Sequence, residues 1–398
     1  MRPLNPTAVN APMAGIKRMT DLALATEGCI RLEIGDSDFD TPEHIREAGI
    51  RAIRDGRTHY TDKPGTIELR QAIADKLRRE NGLEYDPATE ICVTHGGMGA
   101  AFCALKTLVA PGEEILISDP CWPEFLGIIG AIGAVAVPVP VFERDGFNLL
   151  PDAVADRVTH RSKCLLINSP HNPTGAVMSP ENLRGIAELA ERHDLYVVHD
   201  EVYEKIIYGD TRHVSFASLP GMWERTVTLN ALSKAYAMTG WRVGYAAAPR
   251  RVMDTLHKIH YYTGVCCSSI AQEAALAAIT GPQDCVARMR AEFRARRDLI
   301  VEAVNATPNL SCREPAGAFY LFVNIGDVGL PSEDLALRVL REARVSSVPG
   351  AYFGENGEGF LRLTYCNSRE NIAEAVRRIH AVLGKRGTEP IFRPERLS

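Results

Sequence analysis

The chain has 398 residues, of which 45% are hydrophobic, and a formal net charge of -5. A chain of this length can bury a large core, and its size predicts one large domain together with a smaller one. The small net charge gives the whole chain no bias toward nucleic acid, so no nucleic-acid partner is expected. Chemistry on a small molecule is the better starting hypothesis.

The ten cysteines are scattered along the chain, with no CxxC pair and no spacing typical of a metal site. They are therefore predicted to be reduced thiols in the core of a cytoplasmic protein, and no metal site is expected. Residues 1–20 contain prolines and charges but no apolar segment of the kind that a secretory signal needs. The expected location is the cytoplasm, without a membrane anchor.

One uncharged stretch, residues 125–142, is about as long as a membrane-spanning helix. Three glycines and two prolines interrupt it, and valines alternate with other residues in its second half. That alternation has the period of a strand, and the interruptions are typical of turns. The pattern favours a helix end, a turn and a buried strand over a membrane span.

Between about residues 90 and 250, short β-branched runs alternate with segments whose apolar residues recur at helical spacing. This alternation is typical of a parallel sheet covered by helices on both faces, so the sequence predicts an α/β fold. The seven predicted strands are 91–94, 114–118, 134–141, 164–168, 195–199, 226–232 and 243–248. The predicted helices between them include 99–109 and 180–193.

The pattern changes after about residue 285. Residues 285–307 predict a charged amphipathic helix, residues 318–325 a strand and residues 368–383 a final helix. We therefore expect a second, α+β domain that the N-terminal segment joins. The expected division is a large domain over 46–285, a small domain made of 14–45 and 286–398, and an N-terminal arm over 1–13.

The ends of the predicted strands are the places to look for chemistry, because ligands of open α/β sheets bind at the carboxyl edge. Ser233 and Lys234 come just after one of these strands. A lysine buried there without a partner is costly, so a functional amine is favoured over a solvated one. A lysine with a lowered pKa is the nucleophile that forms imines with carbonyl cofactors.

Two features near Lys234 are suited to a phosphate. Ser233 and Arg242 offer a hydroxyl and a forked guanidinium, although Arg242 on its own could equally pair with a surface carboxylate. The glycine-rich turn 95–99 precedes a helix predicted to begin near Ala100, and its backbone N–H groups can cradle an anion. Such turns are often only structural, but here the turn supplies a second half to the same site.

Asp200 ends a hydrophobic strand, where a carboxylate can bind a metal, cap a helix or pair with a cationic ring nitrogen. Metal binding is the least favoured of the three, because no cluster of histidines and carboxylates is evident in the sequence. A pyridinium partner fits best with Lys234. The polar loop 168–175, NSPHNPTG, also follows a strand and would by itself be an ordinary turn.

Joined in their order and spacing, these motifs resemble those of the class I/II, fold type I aminotransferases, the aspartate aminotransferase superfamily, over nearly the whole chain. The resemblance is carried by YTDKPGTIELRQAIA, VTHGGMGAAF, DPCWPEF, NSPHNPTGAV, HDEVYEKIIY, LSKAYAMTGWRVGY and GFLRLTY. It implies a fold with a mostly parallel seven-stranded sheet, a homodimer with shared active sites, and pyridoxal 5′-phosphate (PLP) as cofactor. The implied reaction is a ping-pong transamination that moves an amino group from an L-amino acid to a 2-oxo acid.

The resemblance also implies roles for individual residues. Lys234 would carry PLP as an imine and move a proton between the substrate α carbon and the cofactor. Asp200 would keep the pyridine nitrogen protonated, while Tyr203 and Asn172 would hydrogen bond the ring oxygen. The other cofactor contacts would come from Trp122 on the ring face, from Gly97, Met98, Gly99, Ser233 and Arg242 at the phosphate, and from Tyr60 of a second subunit. The substrate carboxylate would be bound by Arg362 with help from Asn172 and Gly35.

The resemblance does not identify the amino donor. Ser37 stands where many members have proline, and Met98 where lysine or serine is frequent, so an aspartate preference does not follow. Lys17 or Arg18 could receive a distal carboxylate, and each could equally be an exposed surface charge. The donor side chain would lie near Ile16, Lys17, Gly35, His95, Tyr60 and Tyr262.

Other functions share this scaffold. A β-eliminating C–S lyase or an oxygen-using PLP oxidase is the nearest alternative, since one fold hosts several chemistries. The run AMTGWRVGY is more similar to the transaminases than to the lyases. A regulatory, ligand-sensing relative would carry an added DNA-binding module, which the residues before the domain are not expected to form.

Overall fold

The computed structural model describes residues 2–12 and 15–384. Its strands are β1 (Ile30–Arg31), β2 (Ile91–His95), β3 (Glu114–Asp119), β4 (Val135–Pro140), β5 (Ser162–Asn168), β6 (Tyr196–Asp200), β7 (Thr226–Ala231), β8 (Val243–Ala247), β9 (Ser311–Cys312), β10 (Tyr320–Asn324), β11 (Val345–Ser346), β12 (Val348–Pro349) and β13 (Phe360–Thr364). Its α-helices are α1 (Pro6–Val9), α2 (Ile16–Ala25), α3 (Glu43–Arg54), α4 (Ile67–Lys76), α5 (Gly96–Leu108), α6 (Pro123–Ala131), α7 (Pro151–Ala155), α8 (Pro180–Arg192), α9 (Leu232–Ala235), α10 (Arg250–Gly264), α11 (Ser269–Thr280), α12 (Asp284–Asn305), α13 (Ser332–Ala343) and α14 (Arg369–Leu383).

A seven-stranded sheet forms the centre of the fold, in the order β2-β8-β7-β6-β5-β3-β4. Strand β8 runs antiparallel to both of its neighbours, whereas the other neighbouring strands are parallel. The predicted mostly parallel α/β sheet is confirmed, and each predicted strand lies within two residues of its observed bounds. These strands are recognisable in the sequence because β2, β6 and β7, for example, are buried almost throughout and therefore consist largely of apolar residues.

The strand directions bring distant parts of the chain to one edge of this sheet. The carboxyl ends of β2, β3, β5, β6 and β7 meet there, next to the amino end of the reversed strand β8. Asn168 and Asp200 are register partners at the ends of β5 and β6. The turns that follow these strands are therefore neighbours in space.

A smaller, four-stranded antiparallel sheet has the order β12-β13-β10-β9. Within it, Arg362 of β13 lies opposite Phe322 of β10 and Val348 of β12. The short strand β1 pairs in parallel with β11, so the N-terminal segment packs with the C-terminal part of the chain.

The uncharged stretch 125–142 forms the end of α6, a turn and strand β4. The predicted helix end, turn and strand are confirmed. Among the residues that the structure describes, no helix has the length and apolar character needed to cross a membrane.

Candidate active site

A cavity of about 340 Å³ lies at the carboxyl edge of the large sheet and is lined by residues from both sheets. Its volume lies within the range of small-molecule sites. Eleven of the residues predicted to form the site line it: Gly35, Gly97, Met98, Trp122, Asn172, Asp200, Tyr203, Ser233, Lys234, Arg242 and Arg362. Gly99 and Tyr60 do not, whereas Glu124, Asn168 and Tyr320 line the cavity although the sequence did not single them out for the site.

Lys234 lies in the short helix α9, just past the end of β7. Its Nζ donates a hydrogen bond of 2.6 Å to the carbonyl oxygen of Gly35 and lies 5.7 Å from the ring centroid of Phe319. Burial of the ammonium group lowers the pKa of Lys234. The amine is thereby brought closer to its neutral, nucleophilic form.

Asp200 is buried at the end of β6, among donors from its own loop and from β5. Its carboxylate accepts hydrogen bonds from the backbone N–H of Val202 (3.2 Å) and from Nδ2 of Asn168 (3.3 Å). Burial raises the pKa of Asp200 to about 7. A cation placed beside this carboxyl group would favour its ionised form, so the position suits a protonated ring nitrogen.

Arg362 is only 2% exposed, and two of its three guanidinium nitrogens already donate hydrogen bonds. Its Nη1 donates to Oδ1 of Asn172 (3.0 Å), and its Nη2 donates to the carbonyl oxygen of Glu33. Its guanidinium carbon lies 4.7 Å from the ring centroid of Tyr320 and 4.9 Å from that of Phe353. The Nε of Arg362 has no hydrogen-bond partner among the described residues. A buried guanidinium in such a position is suited to binding a carboxylate.

Tyr320 contacts two of the predicted site residues. Its hydroxyl lies 2.7 Å from that of Tyr203, and burial raises the pKa of both phenols. A Cβ at Gly35 would lie 2.1 Å from the Tyr320 hydroxyl, so the absence of a side chain at position 35 makes room for this tyrosine. The sequence placed Tyr320 in a strand, and nothing in the strand pattern distinguishes it from a core aromatic.

An anion cradle lies at the amino end of α5. The helix begins at Gly96, four residues before its predicted start near Ala100, because glycines are weak helix formers and the apolar pattern starts only after them. Gly96 has φ +70°, and a Cβ there would lie 2.6 Å from Nη2 of Arg242. Gly97, Met98 and Ser233 line the same cavity. Helix N–H groups facing a guanidinium form a site for a phosphate.

Two tyrosines lie on the surface: Tyr60, which the resemblance assigns to the site of a second subunit, and Tyr262, which it places near the donor side chain. Tyr60 is 85% exposed and Tyr262 is 84% exposed. Neither of them lines the cavity of its own chain.

The residues predicted to surround the donor side chain divide into two sets. Ile16 and Gly35 line the cavity. Lys17 pairs with Asp21 at 3.0 Å and is largely exposed, whereas His95 packs against His260 with ring centroids 5.5 Å apart. Arg18, the other cation considered for a distal carboxylate, pairs with Glu333.

Two groups of potential metal ligands that were not evident in the sequence lie outside the cavity lining: His95, His260 and Cys267, and Glu201, Glu204 and His213. In the second group, Glu201 lies within 2.9 Å of His199 and 3.0 Å of His213. Oε2 of Glu201 also accepts hydrogen bonds from Oγ of Ser215 (2.7 Å) and Nδ2 of Asn81 (3.3 Å), which compensate for the burial of this carboxylate.

The chain matches the family model for class I and II aminotransferases over residues 27–379. It is 41% identical over 370 residues to an aspartate aminotransferase of Pyrococcus abyssi, covering 92% of this chain and 95% of that protein. It is 40% identical over 370 residues to aromatic-amino-acid aminotransferase 2 of Thermococcus litoralis, again covering 92% and 95%. The solved structure of the Thermus thermophilus aspartate aminotransferase with maleate matches with a TM-score of 0.91 and 36% identity, covering 96% of this chain and 100% of that one. The chain therefore belongs to the class I and II aminotransferase family and is an aminotransferase.

Proposed function

We propose that this aminotransferase uses PLP bound through Lys234 and exchanges amino groups between amino acids and 2-oxo acids by a ping-pong route. One observation carries the proposal. Three groups line one cavity: the amine of Lys234, the buried carboxyl group of Asp200, and the anion cradle, which is represented there by Gly97, Met98 and Arg242.

The cavity fits PLP group by group. Lys234 would attach the aldehyde carbon, and Asp200 would face the ring nitrogen. The phosphate would occupy the cradle at the start of α5, where the missing Cβ of Gly96 leaves room beside Arg242. Trp122, Tyr203 and Asn172 also line the cavity; Trp122 would cover a ring face, and Tyr203 and Asn172 would offer hydrogen bonds to a ring oxygen.

When bound, PLP supplies an electron sink that makes the α proton of an attached amino acid acidic. Arg362 binds the α-carboxylate with its forked guanidinium, and its hydrogen bond to Asn172 fixes the orientation of both side chains. Nζ of Lys234, whose pKa is lowered by burial, would take the α proton and deliver it to the cofactor carbon that had carried the aldehyde. Asp200 would stabilise a positive charge on the ring nitrogen.

A test separates transamination from β-elimination. PLP-saturated protein is mixed with one amino acid in the absence of an oxo acid, and both 2-oxo acid and ammonia are measured in the quenched mixture. We expect about one equivalent of oxo acid per site and no ammonia, because the nitrogen stays on the enzyme. Continued release of ammonia and pyruvate from a cysteine conjugate would instead support a C–S lyase.

We further propose that the protein acts as a homodimer in the cytoplasm. The exposed Tyr60 and Tyr262 support the first part, since large surface aromatics are typical of protein interfaces. The ten free cysteines support the second, because thiols persist in a reducing compartment.

A further inference from the structure

Glu124 is an acidic side chain in the cavity that the proposed chemistry does not use. It lies in the first turn of α6, two residues after Trp122, and lines the same cavity as Lys234 and Arg362. It belongs to none of the groups assigned above to PLP or to the α-carboxylate.

The Glu124 side chain is half-buried, and its carboxyl group is incompletely satisfied. Its Oε2 is inaccessible to solvent and has no hydrogen-bond partner among the described residues. Burial raises the pKa of Glu124, and nearby Arg362 and Lys234 oppose that rise. Buried polar atoms without partners are rare in folded proteins, and the Glu124 side chain lines a cavity in which a ligand group can supply a hydrogen bond to its carboxyl group.

Each basic group in or near the cavity already has a partner or a role proposed above, and Arg242 is assigned to the phosphate. Arg362 contacts Asn172 and the Glu33 carbonyl, and Lys234 donates to the Gly35 carbonyl. Lys17 and Arg18, the two cations considered for a distal carboxylate, pair with acidic residues of their own chain. A substrate side chain that reaches Glu124 in the cavity therefore meets a carboxyl group, and the nearby cations are already occupied.

We propose that Glu124 determines donor specificity by accepting a hydrogen bond from the donor side chain, and that it favours side chains with an amide, hydroxyl or amino group. A donor with a distal carboxylate is disfavoured, because two like charges would meet in a buried site. The inference rests on the proposed function and names its substrate class.

Isosteric donors test this directly. Glutamine and glutamate, or asparagine and aspartate, differ only in an amide against a carboxylate, while alanine has no side chain that could reach Glu124. For each donor, single-turnover rates are measured at several donor concentrations, and their initial slope gives a second-order rate constant for the wild type and for Glu124→Gln. We expect the wild type to prefer the amides by at least about tenfold, and Glu124→Gln to reduce this preference about tenfold with alanine unchanged.

Glu181→Gln provides a matched control. Glu181 follows a proline at the start of α8, as Glu124 does at the start of α6, but it is exposed and does not line the cavity. If Glu124 merely stabilises its helix, both variants lower the melting temperature and leave donor preference unchanged, which overturns the proposal. An equal loss with alanine and glutamine in Glu124→Gln also overturns it. Failure of the proposed function is recognised separately, since the wild type would then convert no donor at all.

Discussion

At the scale of single residues, the site contains ionisable groups whose pKa values burial has shifted from their ordinary values. Lys234 has a lowered pKa and Asp200 a raised one, and desolvation is the main cause in both. Each group is thereby less charged than it would be in water. A ligand that brings a cation to Asp200 and an aldehyde to Lys234 relieves both costs.

Asp200 makes the stability of cofactor-stripped protein depend on pH. Its pKa is about 7 in the fold and about 3.9 in an unfolded chain, so between these values the folded state holds a proton that the unfolded state has lost. Stability therefore falls as the pH rises through this window. We expect Asp200→Asn, which cannot ionise, to be more stable than wild type at pH 8 by up to ~4 kcal/mol and to differ little at pH 4.

Urea unfolding of the stripped proteins at pH 4, 6 and 8 measures this difference. With PLP added, the order should reverse, because the variant lacks the carboxylate that faces the ring nitrogen. Parallel pH profiles of wild type and Asp200→Asn without PLP would contradict the account.

The sequence predicts site residues whose chemistry is unusual for their position in the chain. It does not predict residues that belong to the site only because the fold brings them to the cavity. Lys234 and Asp200 lie at the ends of buried strands, where an unpaired charge is costly and a functional role is therefore favoured. Tyr320 and Glu124 carry no such signal, because a tyrosine in a strand and a glutamate in a first helical turn have ordinary structural explanations. Their position in the cavity follows from the approach of β10 and α6, which are distant in sequence.

At the scale of elements, the edge where β2, β8 and β7 meet holds the anion cradle. A Cβ at Gly244 of β8 would lie 2.6 Å from the carbonyl carbon of Gly96 and 2.8 Å from the backbone oxygen of Asn230. Both neighbours are backbone atoms of the flanking strands or their turns, so they cannot move without displacing the start of α5. The sequence predicted these strands, but not this close approach, because the run of small residues in β8 is also typical of an ordinary buried strand.

Gly244→Ala should therefore weaken PLP binding about tenfold or more and lower the free energy of unfolding by about 1–3 kcal/mol. Gly240→Ala is the control, since a Cβ at Gly240 meets nothing within 4 Å and should change either quantity little. PLP titration by absorbance and urea unfolding measure the two effects. Equal PLP affinity in the two variants would show that the cradle does not depend on this packing.

At the scale of the whole molecule, we propose the division into a large domain over 46–285, a small domain over 14–45 and 286–398, and an arm over 1–13. One buried apolar cluster joins Met19 and Leu32 to Phe293 and Val382, which supports a small domain built from both ends of the chain. A second cluster contains Leu69 and other residues of the central part. Residues 1, 13, 14 and 385–398 lie outside the part of the chain that the structure describes.

The proposed homodimer with shared active sites leads to a further prediction. Dimers made only of Lys234→Ala subunits or only of Tyr60→Ala subunits should not be fully active. The first lack the amine in both sites, and the second lack the proposed phosphate contact from the neighbouring subunit. In a mixed dimer, one site carries both defects and the other carries none. Refolding the two variants together in equal amounts should restore about a quarter of the wild-type sites, well above the mean of the parents.

Activity of the mixture after joint refolding, compared with the variants refolded separately and then combined, measures this restoration. Activity equal to the parental mean in a verified mixed dimer would place Tyr60 outside the partner's site. The sequence suggests a role for Tyr60 in the partner's site only through the family resemblance. A tyrosine in the sequence gives no signal of its own that it contacts a second subunit.

The most direct measurement of the central claim is borohydride reduction of PLP-saturated protein followed by peptide mapping. Reduction converts an imine into a stable amine, so the account predicts about one pyridoxyl group per chain, located on Lys234. Lys76 provides an internal comparison, because it is also buried but pairs with Glu204, and it should remain unmodified. A label on another lysine, with Lys234 unmodified in saturated protein, would contradict the account.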